Sequence, residues 1–152
     1  MDFEKYGLNK MNKKDYEDGG FIRTWSIHIP AETASEVEKT LKSKWINTGK
    51  KEKEFREKIK EKFNAKYVVA CNSGTAALKI ALSSLGIGCG DEVVSTPYTF
   101  IATNTSILEV GATPIFADID YETLNILPES IRSKITNKTK AIMVVHYGGL
   151  PV

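Results

Sequence analysis

Apolar residues recur at helical spacing over residues 31–66 and at strand-like spacing from residue 67 onward. In the first part, steps of three and four residues predict a helix over 31–44 and a second helix after Gly49. The second helix carries lysine and glutamate on its other faces, as a solvated surface does. The apolar positions are Ala34, Val37 and Leu41 in the first helix and Phe55, Ile59 and Phe63 in the second.

Short β-rich runs then alternate with helical segments, which is typical of a parallel sheet with right-handed crossovers. We therefore predict an α/β fold of three layers, with a mainly parallel sheet between helices. Gly111 is expected to cap one helix and Pro128 to begin another. The predicted strands are 67–71, 92–96, 114–118 and 141–145, and the predicted helices run from the turn at 72–75 to Leu85, over 99–109 and over 128–134. The helix that ends at Leu85 is apolar on several sides, so other elements are expected to cover it.

The composition divides the chain into three parts. Residues 1–20 are polar, charged and aperiodic, and the Gly19-Gly20 pair marks the end of this tail. Residues 21–66 form an N-terminal helical segment, and the α/β domain occupies 67–152.

Charge and cysteine content narrow the class of protein. The 152 residues have a formal net charge of only +2, so neither nucleic acid nor a membrane surface is expected as a partner. The sequence has no apolar segment of the roughly 20 residues that a spanning helix needs, and no secretory signal. Cys71 and Cys89 form no CxxC pair and are interpreted as reduced thiols. We predict a cytoplasmic protein.

A predicted strand leads directly into a helix at Asn72-Ser73-Gly74-Thr75, which suits the binding of an anion. The first turn of a helix has unpaired N–H groups and a positive dipole end. Gly74 allows a close backbone approach, and Ser73 and Thr75 offer hydroxyl groups. Plain helix capping explains the same residues. The glycine fingerprints of dinucleotide and triphosphate sites are absent, which disfavours an unrelated nucleotide-binding domain.

Several motifs follow this turn in a fixed order and with fixed gaps. Together with Trp45-Ile46-Asn47-Thr48-Gly49, they resemble the DegT/StrS family of sugar aminotransferases over about residues 29–152. That family has the fold-type-I architecture of the aspartate aminotransferases. The motifs are Gly90-Asp91-Glu92-Val93-Val94, Pro97-Tyr98-Thr99-Phe100-Ile101-Ala102-Thr103, Gly111-Ala112-Thr113-Pro114-Ile115-Phe116, Asp118-Ile119-Asp120, Thr123-Leu124-Asn125, Thr139-Lys140-Ala141-Ile142 and Val145-His146-Tyr147-Gly148-Gly149.

The resemblance implies pyridoxal 5′-phosphate as cofactor, with 67–152 as the first, incomplete part of its large domain. Gly74 and Thr75 match the family's contacts to the cofactor phosphate, with Ser73 beside them. Phe100 matches the aromatic residue that stacks on the pyridine ring. Core packing is the alternative for Phe100, and Tyr98 is a competing aromatic residue.

The resemblance also matches Thr48 and Gly49 to a loop near the active site, although helix termination explains Gly49 equally well. No metal site is predicted. Each of the remaining candidates has a structural interpretation: strand-end and turn residues for Asp118 and Asp120, an isolated side chain for His28, and a partner for local backbone in the case of His146.

In the family, the Schiff-base lysine and the acid at the pyridine nitrogen come after the strand that ends at Val145, beyond Val152. Lys79 is expected to face out of a helix, and Lys140 to open a strand. No catalytic residue is therefore assigned, and these 152 residues alone are expected to be inactive. Because the strand at 67–71 would lack its neighbour, they are also expected to be poorly soluble or marginally folded.

For the whole protein, the resemblance implies transfer of an amino group from glutamate to a nucleotide-linked keto sugar, in polysaccharide or amino-sugar biosynthesis. The family's sites lie at a dimer interface, so a homodimer is expected. Two alternatives stay open: a sugar dehydratase of the same family that uses the amine form of the cofactor, and a non-catalytic truncated product.

Overall fold

A computed structural model describes residues 27–152. The tail expected at 1–20 and the start of the segment at 21–66 lie outside these residues. The described residues form two compact units, one up to Gly49 and one from Lys50 onward. In the first unit, helix α1 spans Thr33–Lys42, inside the predicted range of 31–44.

The second unit has four helices and three strands, and a short 3₁₀ turn at Tyr147–Gly149 follows the last strand. The elements whose start is marked by a signal in the sequence lie close to their predicted positions. One of them is α5, which has Pro128 in its first turn. The elements are α2 (Lys50–Lys62), α3 (Gly74–Ser84), β1 (Glu92–Ser95), α4 (Ala102–Glu109), β2 (Thr113–Phe116), α5 (Pro128–Lys134) and β3 (Thr139–Ile142).

The three strands form a parallel sheet in the order β2-β1-β3, so β1 is hydrogen-bonded on both sides. Adjacent residues of a strand point to opposite faces. Val93 accordingly packs with Leu82 of α3 and Ile107 of α4. Val94 packs on the other face with Ile131 of α5. Helices thus cover both faces, which confirms the predicted three-layer α/β architecture.

The strand predicted at 67–71 is wrong for the described residues, which contain no strand there. A strand needs a hydrogen-bonded neighbour, and β1, β2 and β3 pair only with one another. Tyr67 and Val69 are 79% and 74% exposed. The β-rich composition of this segment gives it a tendency to be extended, but the pairing partner decides whether a strand forms.

Glycine caps at the ends of α3 and α4 direct the chain into the core. Gly86 and Gly111 have φ values of +71° and +85°, in the left-handed region that favours glycine. The residue after each glycine returns its N–H to the helix, which is the Schellman arrangement and confirms the cap predicted at Gly111. The bonds join the Ile87 N–H to the Leu82 carbonyl at 3.2 Å and the Ala112 N–H to the Ile107 carbonyl at 3.1 Å. All four of these apolar residues belong to one core cluster with Val93.

The expectation that α3 is covered on several sides is not met by the residues that the structure describes. Leu82 is buried, whereas Ile80 and Leu85 are 46% and 71% exposed. The sheet and α4 reach only the Leu82 side of the helix. Within residues 27–152, no helix has the length and apolar character that crossing a membrane requires.

The caps generate a stability prediction. Gly111→Ala should destabilise the protein by about 1–2 kcal/mol, because alanine is strained in the left-handed region, and its Cβ would also lie 3.4 Å from the Cys89 nitrogen. Gly86→Ala should cost slightly less, since nothing lies within 4 Å of its Cβ. Urea unfolding of the complete gene product measures both values. Gly88→Ala is the control, because its Cβ would make only an ordinary contact of 3.6 Å; equal effects at Gly88 and Gly111 would contradict the prediction.

Candidate functional site

The loops that follow the three strands meet at one edge of the sheet, because the strands are parallel. The N-terminus of α3 lies at this edge as well, since α3 packs on the sheet and its C-terminus leads back to the start of β1. In open α/β sheets, ligands bind outside the carboxyl ends of the strands. This edge is therefore the part of the second unit where a ligand site is expected.

Ser73 is the N-cap of α3, with an extended backbone (φ −158°, ψ 156°). Its Oγ accepts the N–H of Ala76 at 3.1 Å, and its carbonyl accepts the N–H of Ala77 at 3.1 Å. The capping alternative therefore accounts for Ser73. It leaves the N–H groups of Gly74 and Thr75 without an acceptor among residues 27–152.

The space around Gly74, next to these two N–H donors, is open. A Cβ at this position would meet nothing within 4 Å, and the glycine itself is exposed. Thr75 is half-buried beside it. Free N–H groups, the positive end of the helix dipole and an unobstructed approach are the features that a bound phosphate group needs. The residues present thus fit the phosphate of a cofactor.

Phe100 lies in the loop between β1 and α4 and is 77% exposed. The core-packing alternative is therefore not realised within the described residues. The competing aromatic residue, Tyr98, is already engaged, because its ring lies 4.8 Å from that of Tyr147. A hydrogen bond with the Tyr147 side chain raises the pKa of Tyr98. Phe100 thus offers an uncovered ring at the same sheet edge as the N-terminus of α3.

Thr48 and Gly49 lie in the first unit, in a turn organised by Trp45. The indole Nε1 donates to the Thr48 carbonyl at 3.0 Å, and the Thr48 N–H bonds to the Asn47 side chain at 2.7 Å. A Cβ at Gly49 would overlap the Trp45 ring. Local packing therefore accounts for glycine at position 49, and a role for Thr48 and Gly49 in a loop near the active site stays a prediction.

Sequence reasoning missed Asn125, which is only 7% exposed and joins two loops at the carboxyl edge. Its Oδ1 accepts the Tyr147 N–H at 3.2 Å. Its Nδ2 donates to the carbonyls of Leu150 at 3.2 Å and Pro151 at 3.3 Å. The sequence Thr123-Leu124-Asn125 resembles an ordinary turn, so no local signal distinguishes this asparagine.

Asp120 and His146 have structural roles in the loops at this edge. Asp120 is a turn residue, as predicted: its Oδ1 accepts the N–H groups of Thr123 at 2.7 Å and Glu122 at 3.2 Å. These hydrogen bonds, chiefly those from Thr123, lower the pKa of Asp120. His146 accepts a backbone N–H through Nδ1, which confirms its predicted structural role. Asp118 lines a shallow cavity of about 270 Å³ together with Pro97, Tyr98, Ala117 and Ile119.

Lys79 and Lys140 take the surface positions that the sequence predicts. Lys79 is exposed on α3 and pairs with Glu109 at 3.3 Å, and Lys140 is exposed on β3. Residues 27–152 contain no group of three or more His, Cys, Asp or Glu side chains that could hold a metal ion. Both cysteines are free and exposed.

Solved structures place this fold among the fold-type-I aminotransferases. An aminotransferase from Psychrobacter cryohalolentis superposes with a TM-score of 0.78 at 43% identity, over 86% of this chain and 33% of that one. The sugar aminotransferase Spr1654 from Streptococcus pneumoniae, solved in PLP and PMP forms, gives a TM-score of 0.80 at 36% identity over 86% of this chain and 33% of that one. The chain thus corresponds to about a third of such a protein.

Sequence comparison gives the family. The family model of the DegT/DnrJ/EryC1/StrS aminotransferases matches residues 28–152, so the chain belongs to that family. A relative in Bacillus subtilis (strain 168), the spore coat polysaccharide biosynthesis protein SpsC, is 47% identical over 121 residues, which is 80% of this chain and 31% of that protein. The resemblance inferred from the motifs is confirmed.

The turn at Asp120 generates a prediction about pH. A carboxyl group with a lowered pKa stabilises the fold above its ordinary value of 3.8, and this contribution is lost as the pH falls towards the folded-state pKa. Asp120→Asn should therefore lower the urea midpoint at neutral pH, and the difference from wild type should shrink as the pH falls below 3.8. Asp118→Asn, whose carboxylate makes none of these bonds, is the control. A constant difference across the pH range would contradict the prediction.

The Asn125 junction generates a second prediction. Asn125→Ala removes three hydrogen bonds, which should lower the free energy of unfolding by about 1–3 kcal/mol in total. Amide hydrogen exchange should accelerate at Tyr147, whose N–H loses its acceptor. Asn137→Ala, at an exposed position, should change neither quantity. Unchanged exchange at Tyr147 in the Asn125 variant would show that the junction does not hold this loop.

Proposed function

We propose that the whole protein is a pyridoxal-phosphate-dependent aminotransferase that transfers an amino group from glutamate to a nucleotide-linked keto sugar. The observation that carries this proposal is the open N-terminus of α3, with two free N–H donors, at the same sheet edge as the exposed ring of Phe100. The reaction would belong to polysaccharide or amino-sugar biosynthesis, in a cytoplasmic homodimer.

The residues have distinct tasks towards the cofactor. The N–H groups of Gly74 and Thr75 would hold its phosphate, where charge-assisted hydrogen bonds contribute about 1.5–3 kcal/mol each. The hydroxyls of Ser73 and Thr75 would add further donors. Phe100 would lie on the ring, which prefers an offset or edge contact with an aromatic neighbour. When bound, the cofactor would carry the amino group between donor and acceptor, and its ring would act as the electron sink.

The relatives support a sugar as the acceptor. One of them is described as a sugar aminotransferase, and another as a protein of spore coat polysaccharide biosynthesis. Glutamate as donor, the nucleotide link and the homodimer follow from the resemblance to the family. No lysine within residues 27–152 stands in a context that matches the family's Schiff-base lysine, so we assign no catalytic lysine there and propose that the 152-residue chain alone does not transaminate.

The direct test is a half-reaction. The complete gene product is loaded with pyridoxal phosphate and mixed with glutamate, and absorbance should change from the aldehyde to the amine form of the cofactor. Adding a nucleotide-linked keto sugar should reverse the change and yield an amino sugar. A soluble, cofactor-loaded protein whose spectrum glutamate leaves unchanged would contradict the proposal.

Gly74→Ala tests the phosphate turn separately. Alanine has room in the folded chain and favours a helix, so stability should be unchanged or slightly higher. The added methyl group would crowd the phosphate, and pyridoxal phosphate should bind at least about tenfold more weakly, a loss of roughly 1.4 kcal/mol. Equilibrium dialysis measures the affinity, with Gly88→Ala as the control because Gly88 lies in the turn before β1, at the other end of the sheet. Pyridoxal, which lacks the phosphate, should bind Gly74→Ala and wild type equally, and an equal loss for both ligands would refute the assignment.

A further inference from the structure

The loop that carries Phe100 is held by hydrogen bonds from both of its ends. At the start, the Tyr98 N–H bonds to Thr96 Oγ1 at 3.1 Å. The Asn104 side chain reaches back from α4 and donates to the Thr96 carbonyl at 3.0 Å. At the end, the Phe100 carbonyl accepts the Thr103 N–H at 3.0 Å. The loop is thus fastened to the end of β1 and to the first turn of α4.

A side-chain bond closes the loop next to the phenylalanine itself. The hydroxyls of Thr99 and Thr103 lie 2.8 Å apart, a hydrogen-bond distance. Thr103 is only 8% exposed and Thr99 is half-buried, so water competes little for this bond. It joins the residue immediately before Phe100 to the second residue of α4.

The ring of Phe100 needs such support because packing does not supply it. The side chain is 77% exposed, and it has no ring partner among residues 27–152. Stacking on a flat ligand is a weak interaction that depends on geometry. A loop free to sample other conformations would present the ring correctly for only part of the time, and the apparent affinity would fall by that fraction.

We propose that Thr99 and Thr103 are positioning residues, whose paired hydroxyls hold the loop of Phe100 ready for stacking on the cofactor ring. The inference rests on the proposed function, since it requires a ring at this place. Thr103 acts through the loop and touches no ligand. Asn104 holds the same loop through its Nδ2, but its Oδ1 is buried without a partner in the described part of the chain. A substitution of Asn104 would therefore alter this buried group as well as the loop.

Three variants of the complete gene product test the proposal. Thr103→Val keeps the shape but removes the hydroxyl, and Thr103→Ser keeps the hydroxyl. Thr105→Val is the matched control, because Thr105 lies on the same helix, is half-buried and makes no side-chain hydrogen bond within residues 27–152. The probes are pyridoxamine phosphate and inorganic phosphate, measured by equilibrium dialysis, and melting temperature shows that each variant is folded.

Thr103→Val should weaken the binding of pyridoxamine phosphate about three- to tenfold, the range of one aromatic contact. Its affinity for inorganic phosphate should not change, because the N-terminus of α3 is untouched. Thr103→Ser should restore the affinity for pyridoxamine phosphate, and Thr105→Val should match wild type.

Two results would overturn the inference while leaving the proposed function in place. One is wild-type affinity of Thr103→Val for pyridoxamine phosphate. The other is an equal loss for both probes, which would indicate a general structural effect. If wild type itself binds neither probe, the cofactor site is refuted, and the inference falls with it.

Discussion

The parallel pairing of β1 on both of its edges is the constraint on which the rest of the second unit depends. The crossovers between parallel strands put helices on both faces of the sheet, so the side chains of the central strand are buried on both faces. Val93 and Val94 are fully buried and point in opposite directions, each at the centre of a separate core cluster. Two helices are thereby held on one face and one on the other, and the loop after β1 is fixed between its neighbours.

This arrangement concentrates the polar residues at one end of the sheet. Val94 is followed by Ser95, the last residue of β1, and by Thr96; both are buried, and Thr96 then organises the loop of Phe100. The junction at Asn125 ties the loop after β2 to the segment after β3. The carboxyl edge is therefore a set of hydrogen-bonded loops on an apolar base, in which the exposed ring of Phe100 and the two free N–H groups of α3 remain available to a ligand.

Sequence predictions that depend on interactions between nearby residues are confirmed, whereas features that depend on distant residues were wrongly predicted or missed. Gly111 was predictable as a cap because all of its hydrogen-bond partners lie within five residues. Pro128 likewise marks the start of α5 through a local preference for the first turn of a helix. The segment at 67–71 was wrongly predicted as a strand because a strand depends on a neighbour that its own composition cannot reveal. Asn125 was missed for the same reason, since its acceptor at Leu150 lies 25 positions away. The anion-binding turn at Ser73, Gly74 and Thr75 was predicted from the chemistry of a helix start, and Phe100 from motif spacing; their roles towards a cofactor remain predictions.

Gly74 and Thr75 offer backbone donors, and such groups do not gain or lose protons in the physiological range. A site built from them has no titration of its own between acid and alkaline conditions. The pH dependence of its phosphate affinity would then follow the ionisation of the ligand alone, whose second phosphate proton dissociates at about pH 6. Attraction to the positive helix end would grow as the phosphate passes from monoanion to dianion, without any switch in the protein.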